Sequence, residues 1–107
     1  MAGTYVTDLR HFLDDHGELA EMPAEAKQLA SFLVLIVDAI TQNATANFVE
    51  TELRCRTTKC TGEILARLDL ANEEILWQCP LCGHHGVIRH WKGTKWDRLE
   101  RNEEKLD

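Results

Sequence analysis

Four cysteines, set as two close pairs, constrain this chain more than any other feature. Four residues separate Cys55 from Cys60, two separate Cys79 from Cys82, and eighteen lie between the pairs. Zinc takes four soft or borderline ligands at tetrahedral corners, with each sulfur about 2.3 Å away. One tight turn supplies two thiolates, and a second turn, brought alongside by a β-hairpin, supplies the other two. Eighteen residues suit two strands and a reversal. Glu63-Ile64-Leu65-Ala66-Arg67-Leu68 and Glu74-Ile75-Leu76-Trp77-Gln78 fill that role on either side of a polar turn, Asp69 to Glu73.

The second pair carries the sharper signal. In Cys79-Pro80-Leu81-Cys82-Gly83, Pro80 fixes a backbone angle between the ligands, and Gly83 permits a positive φ just after them. Backbone N–H groups in such a turn can face the sulfurs. Cys55, Cys60, Cys79 and Cys82 are therefore expected to hold one structural Zn²⁺ ion. Iron, two disulfides, or a Cys79–Cys82 redox pair are the alternatives. Met1-Ala2-Gly3-Thr4-Tyr5 has neither the basic nor the apolar region of a signal peptide. A cytoplasmic protein is expected on that ground, which argues against disulfides. No βαβ pattern surrounds Cys79 and Cys82, which argues against the redox pair. His84 and His85 follow directly; with four sulfurs completing the shell, they are expected in an exposed turn, one ring touching a sulfur. His11, His16 and His90 read as ordinary surface or partly packed residues.

The Cys-Pro-x-Cys-Gly run resembles the knuckles of zinc ribbons and rubredoxins, a likeness that covers about Cys55 to Trp91. It implies a small antiparallel ribbon sheet. The first knuckle departs from the pattern, with four residues rather than two between its cysteines. That spacing remains within zinc usage and speaks against rubredoxin-type iron. A longer likeness is carried by Thr4-Tyr5-Val6-Thr7-Asp8-Leu9-Arg10-His11-Phe12-Leu13-Asp14 and by Gly86-Val87-Ile88-Arg89-His90-Trp91-Lys92-Gly93-Thr94-Lys95-Trp96-Asp97. These segments look like those of a group of short uncharacterised bacterial proteins, and the resemblance implies no activity.

The rest of the chain reads as helix before position 47 and strand after it. Thr7 or Asp8 can cap a first helix with Leu9, Phe12 and Leu13 on one face, ended by Gly17. Pro23 suits the first turn of a second helix from Ala24 to about Gln42. Leu29, Leu33, Ile36 and Ile40 form its stripe, while Phe32, Val34, Leu35 and Val37 widen it, so it must be covered on more than one side. The stretch is too short for a membrane span. Asn43–Asn47 reads as a linker. Val87–Trp91 makes a third strand, and Thr94-Lys95-Trp96-Asp97 reads as a capping box opening a charged C-terminal helix. The expected architecture is α+β: N-terminal helices packed on a small antiparallel zinc-ribbon sheet, with a short C-terminal helix. Its segments are a helical region 1–47, a ribbon 48–98 and a charged helical tail 99–107. In 107 residues only a modest core can form, which makes one metal clamp matter to folding.

Function is legible only as a class. An enzyme is not expected, because four cysteines close the coordination shell. No nucleophile–base spacing or glycine-rich phosphate loop is present either. Glu73 and Glu74 read as solvated turn charges. The leading expectation is a protein-interaction or scaffold module, with the 24–42 helix offered to a partner or to a second copy; packing on the chain's own sheet would account for the same apolar breadth. Nucleic acid is the alternative. Although net charge is −6, residues 54–98 are basic, and Arg54, Arg56, Lys59, Arg89, Lys92 and Lys95, with Trp91 and Trp96, could meet phosphates and bases. The competing reading is that these cations offset a dianionic zinc–tetrathiolate group and the tryptophans fill a core.

Overall fold

The computed structural model describes residues 4–42, 47–57 and 59–99. Strand β1 (Thr4–Asp8) leads into a single 3-10 turn, Leu9–Phe12, and then helix α1 (Ala24–Gln42). Strands β2 (Val49–Arg54), β3 (Glu63–Asp69), β4 (Glu74–Gln78) and β5 (His85–Arg89) follow. They form one sheet in the order β1-β5-β4-β3-β2. β2 to β5 make an antiparallel meander, and β1 lies parallel to β5 with Val6 opposite Val87.

Alternation along the strands selects the buried face. Ile64, Ala66 and Leu68 of β3, Ile75 and Trp77 of β4, and Ile88 of β5 all point inward. Register aligns them: Ala66 stands opposite Trp77, Trp77 opposite Gly86, and Ile75 opposite both Leu68 and Ile88. Helix α1 covers this face with Phe32, Leu33, Ile36, Val37 and Ile40. At about 1.5–3 kcal/mol for each fully buried large side chain, this layer is the main stabilising contribution. Trp77 is its largest knob on the sheet. Its indole lies directly over Gly86, where any Cβ would come within 2.7 Å of the ring. Phe32 meets the same indole edge-on, with ring centroids 5.4 Å apart.

The helix Ala24–Gln42 is found as expected, but the architecture differs from the one read in sequence. Among the described residues the protein is a mostly-sheet domain with one α-helix and a mixed five-stranded sheet, not N-terminal helices on an antiparallel ribbon. The expected first helix is replaced by β1 and the four-residue 3-10 turn. Tyr5-Val6-Thr7 is strand-favouring, and the free edge of β5 gives it a partner to pair with. The capping signal at Asp8 was real, since its side chain accepts the Arg10 N–H at 3.0 Å, but the element it caps is one short turn. Gly17, at φ 78, turns a tight loop instead of ending a helix. The Asp14 carboxylate fixes that loop through the N–H groups of His16 and Glu18.

The third expected strand begins two residues earlier, at His85, and stops at Arg89. His90 takes a left-handed φ of 58, which turns Trp91 into the core. There Trp91 is fully buried and donates its Nε1–H to the Glu73 carbonyl at 2.9 Å. The Thr94 hydroxyl donates back to the Trp91 carbonyl and caps nothing. The Asp97 carboxylate accepts N–H bonds from Gly93 and Leu99. Residues 100–107, where most of the expected tail falls, and the linker residues 43–46 lie outside the described residues. Buried Thr41 ties this segment to α1. Its Oγ1 accepts the Arg98 N–H at 3.0 Å and donates to the Val37 carbonyl at 2.6 Å. The Arg98–Asp38 pair at 2.8 Å runs beside it.

Candidate metal centre

An antiparallel meander places alternate connections at the same end of the sheet. The β2–β3 and β4–β5 connections are therefore neighbours, while the β3–β4 turn lies at the far end. Cys55 directly follows β2 and Cys60 precedes β3; Cys79 directly follows β4 and Cys82 precedes β5. Topology alone brings the two cysteine pairs face to face.

The four sulfurs lie within 4.8 Å of one another. Two approaches cross between the knuckles, with Cys55 Sγ to Cys82 Sγ and Cys60 Sγ to Cys79 Sγ both 3.6 Å. A tetrahedron with arms of about 2.3 Å has edges of about 3.8 Å, so the sulfurs stand near the corners that zinc requires. The same spacing is far beyond the ~2.05 Å of a disulfide. All four side chains are free thiols, Cys79 buried and Cys82 exposed.

Local backbone geometry builds each knuckle. In the first, a bulge at Glu52 (φ 65) shifts the β2–β3 register between Glu50 and Arg54. Such a bulge re-aims the strand end, and Cys55 then bonds through its N–H to the Gly62 carbonyl at 2.9 Å. The Cys60 N–H returns to the Thr57 carbonyl, also at 2.9 Å. In the second knuckle the Gly83 N–H closes onto the Cys79 carbonyl at 2.8 Å, with Gly83 at the expected positive φ, 87.

Three residues complete the surroundings. The Gly62 N–H points at Cys60 Sγ, 3.4 Å away. A Cβ at Gly62 would fall 2.5 Å from Cys79 Sγ and 3.5 Å from Cys60 Sγ, so the cluster occupies the space a side chain would need. His84 Nδ1 lies 3.2 Å from Cys82 Sγ and 2.9 Å from Thr57 Oγ1, matching the expected ring–sulfur contact. Thr57 Oγ1 is 3.4 Å from Cys55 Sγ and so bridges the knuckles. Neither Thr57 nor Gly62 was singled out in sequence. A glycine two residues after Cys60, echoing Gly83 after Cys82, was the available sign; Thr57 had none.

The thiols are unequal as acids. The backbone N–H and ring of His84 bring Cys82 down to about 5. At Cys60 the Gly62 hydrogen bond pulls downward, but burial and the crowding sulfurs of Cys79, Cys82 and Cys55 outweigh it and push the thiol up to about 12. Closely packed thiolates repel one another, so complete ionisation of this set is favoured by a cation at its centre. The donor set thus fits a divalent metal in both geometry and charge.

The basic residues do not form one surface. Arg54, Arg56 and Lys59 stand at the cysteine end, whereas Arg89, at the far end of β5, and Lys92 and Lys95 beyond it lie away from them. Several are engaged locally. Arg89 pairs with Glu74 at 2.6 Å, Lys92 with Glu73 at 3.8 Å, and Lys95 with Glu18. Arg54 donates to the Thr61 carbonyl. Of the two tryptophans expected to stack on bases or fill the core, Trp91 is wholly buried and Trp96 packs against the core.

Fold and site together define a small, mostly-sheet domain whose meander gathers four cysteines to metal-binding distance. Compared with known proteins, the chain matches no family model, no curated protein and no solved structure. The zinc-ribbon likeness therefore rests on the knuckle residues and their placement. No helix among the described residues is long and apolar enough to cross a membrane.

Proposed function

We propose that this protein is a non-catalytic zinc-ribbon module in which one structural Zn²⁺, held by Cys55, Cys60, Cys79 and Cys82, fastens the two knuckles. The observation carrying this reading is the pair of 3.6 Å sulfur–sulfur approaches between the knuckles. Four thiolates leave no coordination position for water or substrate, which favours a structural over a catalytic ion. Zinc is favoured over iron by the wide first knuckle.

The module's role is to present a surface to another protein. Helix α1, the surface first expected to do so, spends its apolar face on the sheet and leaves Leu35 exposed. The sheet face opposite α1 supports the reading better: Val6, Val87 and Leu76 stand side by side across β1, β5 and β4. Val6 is 57% exposed. A nucleic-acid role draws less support, since the cations are divided between two ends of the sheet.

Elemental analysis of the purified chain tests the metal assignment. One zinc per chain is expected, lost in Cys79→Ser, with chelation lowering the melting temperature. A folded protein purified without zinc, its melting indifferent to added zinc and to chelator, would refute it.

A further inference from the structure

Beside the cysteine cluster, between the first half of α1 and the sheet, lies a cavity of about 230 Å³. Its walls are Leu29, Phe32 and Leu33 from the helix and Trp77 and Thr7 from the sheet. Cys55, Arg56, Thr57 and His84 complete it on the cysteine side. Apolar walls with a few converging polar groups are the usual make-up of a small-molecule site. The volume lies below the ~300–1,000 Å³ of drug-sized sites and suits a single ring or a short chain.

Two features make this a shaped site and not a random gap. The Trp77 indole cannot tilt toward β5, because it already rests on Gly86, and Phe32 braces it edge-on. The two rings therefore form a fixed aromatic corner. At the polar side, the Arg56 guanidinium sits 5.7 Å from the Phe32 ring centroid, over its face. Among the described residues no carboxylate lies within ion-pairing distance of Arg56, in contrast to Arg10, Arg89 and Arg98. The cation is thus held over an aromatic wall by cation–π attraction, with its hydrogen-bonding edge uncommitted to an acid.

We infer that this cavity binds a small planar molecule with an apolar body and an anionic head, of the aromatic carboxylate class. The body lies against Phe32, Trp77, Leu29 and Leu33, and the carboxylate meets Arg56. This inference does not depend on the metal's identity or on a protein partner. The rim does share Cys55, Thr57 and His84 with the metal centre, so metal content is measured on the sample used.

Benzoate is the probe, titrated into the full chain while the three tryptophan indole N–H resonances are followed by NMR. The expected result is a saturable shift of the Trp77 resonance at low-millimolar benzoate, the affinity proper to so small a ligand, with Trp91 and Trp96 unmoved. Benzamide, which keeps the ring and loses the charge, should bind about tenfold more weakly, as should benzoate to Arg56→Ala. Leu29→Trp and Thr7→Phe each fill the cavity from a different wall, and whichever retains the native melting profile should abolish the Trp77 shift. Absence of a saturable Trp77 shift in folded protein would overturn the inference. So would equal binding of benzamide and benzoate, or undiminished binding in a folded, cavity-filled variant.

Discussion

Replacing Gly62 by alanine tests how the cysteine cluster is held. The new Cβ would lie 2.5 Å from Cys79 Sγ and 3.0 Å from Leu81 Cβ. Ordinary nonbonded carbon contacts fall at about 3.5–4.0 Å, so the overlap on the sulfur is about 1 Å. Metal–ligand distances tolerate departures of only about 0.2 Å. Either Cys79 leaves the coordination sphere, or the β3 entry backbone shifts at an overpacking cost of about 1–3 kcal/mol. Disturbing the supports of metal ligands costs about 10–100-fold in affinity, and a direct clash on a ligand sulfur belongs at the upper end, near 100-fold. Competition for zinc against a chromophoric chelator reads this affinity directly. Gly17→Ala supplies the control. Gly17 also has a positive φ, 78, but no atom lies within 4 Å of its hypothetical Cβ. It should lose about 1–2 kcal/mol of stability through backbone strain and keep its zinc affinity. Wild-type zinc affinity in Gly62→Ala would refute the steric account, as would an equal loss in Gly17→Ala.

Other perturbations separate the supports of the fold. Gly86→Ala drives a methyl group to 2.7 Å from the Trp77 ring; urea denaturation should show a loss of about 1–3 kcal/mol, with the Trp77 signal altered and those of Trp91 and Trp96 unchanged. Thr41→Val preserves shape but removes the acceptor of the part-buried Arg98 N–H, a loss of about 1 kcal/mol by the same assay, with zinc affinity unaffected. Asp8 gives a pH signature. Hydrogen bonding from the Arg10 side chain holds its carboxyl well below the ordinary value of 3.8. Because the folded-state value is the lower one, its contribution is complete above 3.8 and fades as pH falls toward the folded value. Asp8→Asn should therefore melt below the wild type at neutral pH, and the gap should narrow in acid; a gap independent of pH would count against this role.

The cysteine pairs, the hairpin between them and the helix Ala24–Gln42 were legible in the residues because each depends on local chemistry. Thiolates must come in pairs on tight turns, strands alternate, and a helix repeats its apolar positions every three or four residues. Gly83 was legible for the same reason, as a backbone angle that only certain residues adopt readily. Thr4–Asp8 was not. Tyr5-Val6-Thr7 favours a strand, but Asp8 and the apolar spacing of Leu9, Phe12 and Leu13 behind it pointed to a helix, and what made Thr4–Asp8 a strand was an open β5 edge some eighty residues away. The same holds for Thr57, which bridges two knuckles distant in sequence, and for Gly62, whose missing side chain makes room for Cys79 Sγ. Sequence determined which atoms were available to coordinate. Tertiary structure decided which of them met, because strand pairing and close packing join residues whose separation along the chain carries no local energetic trace.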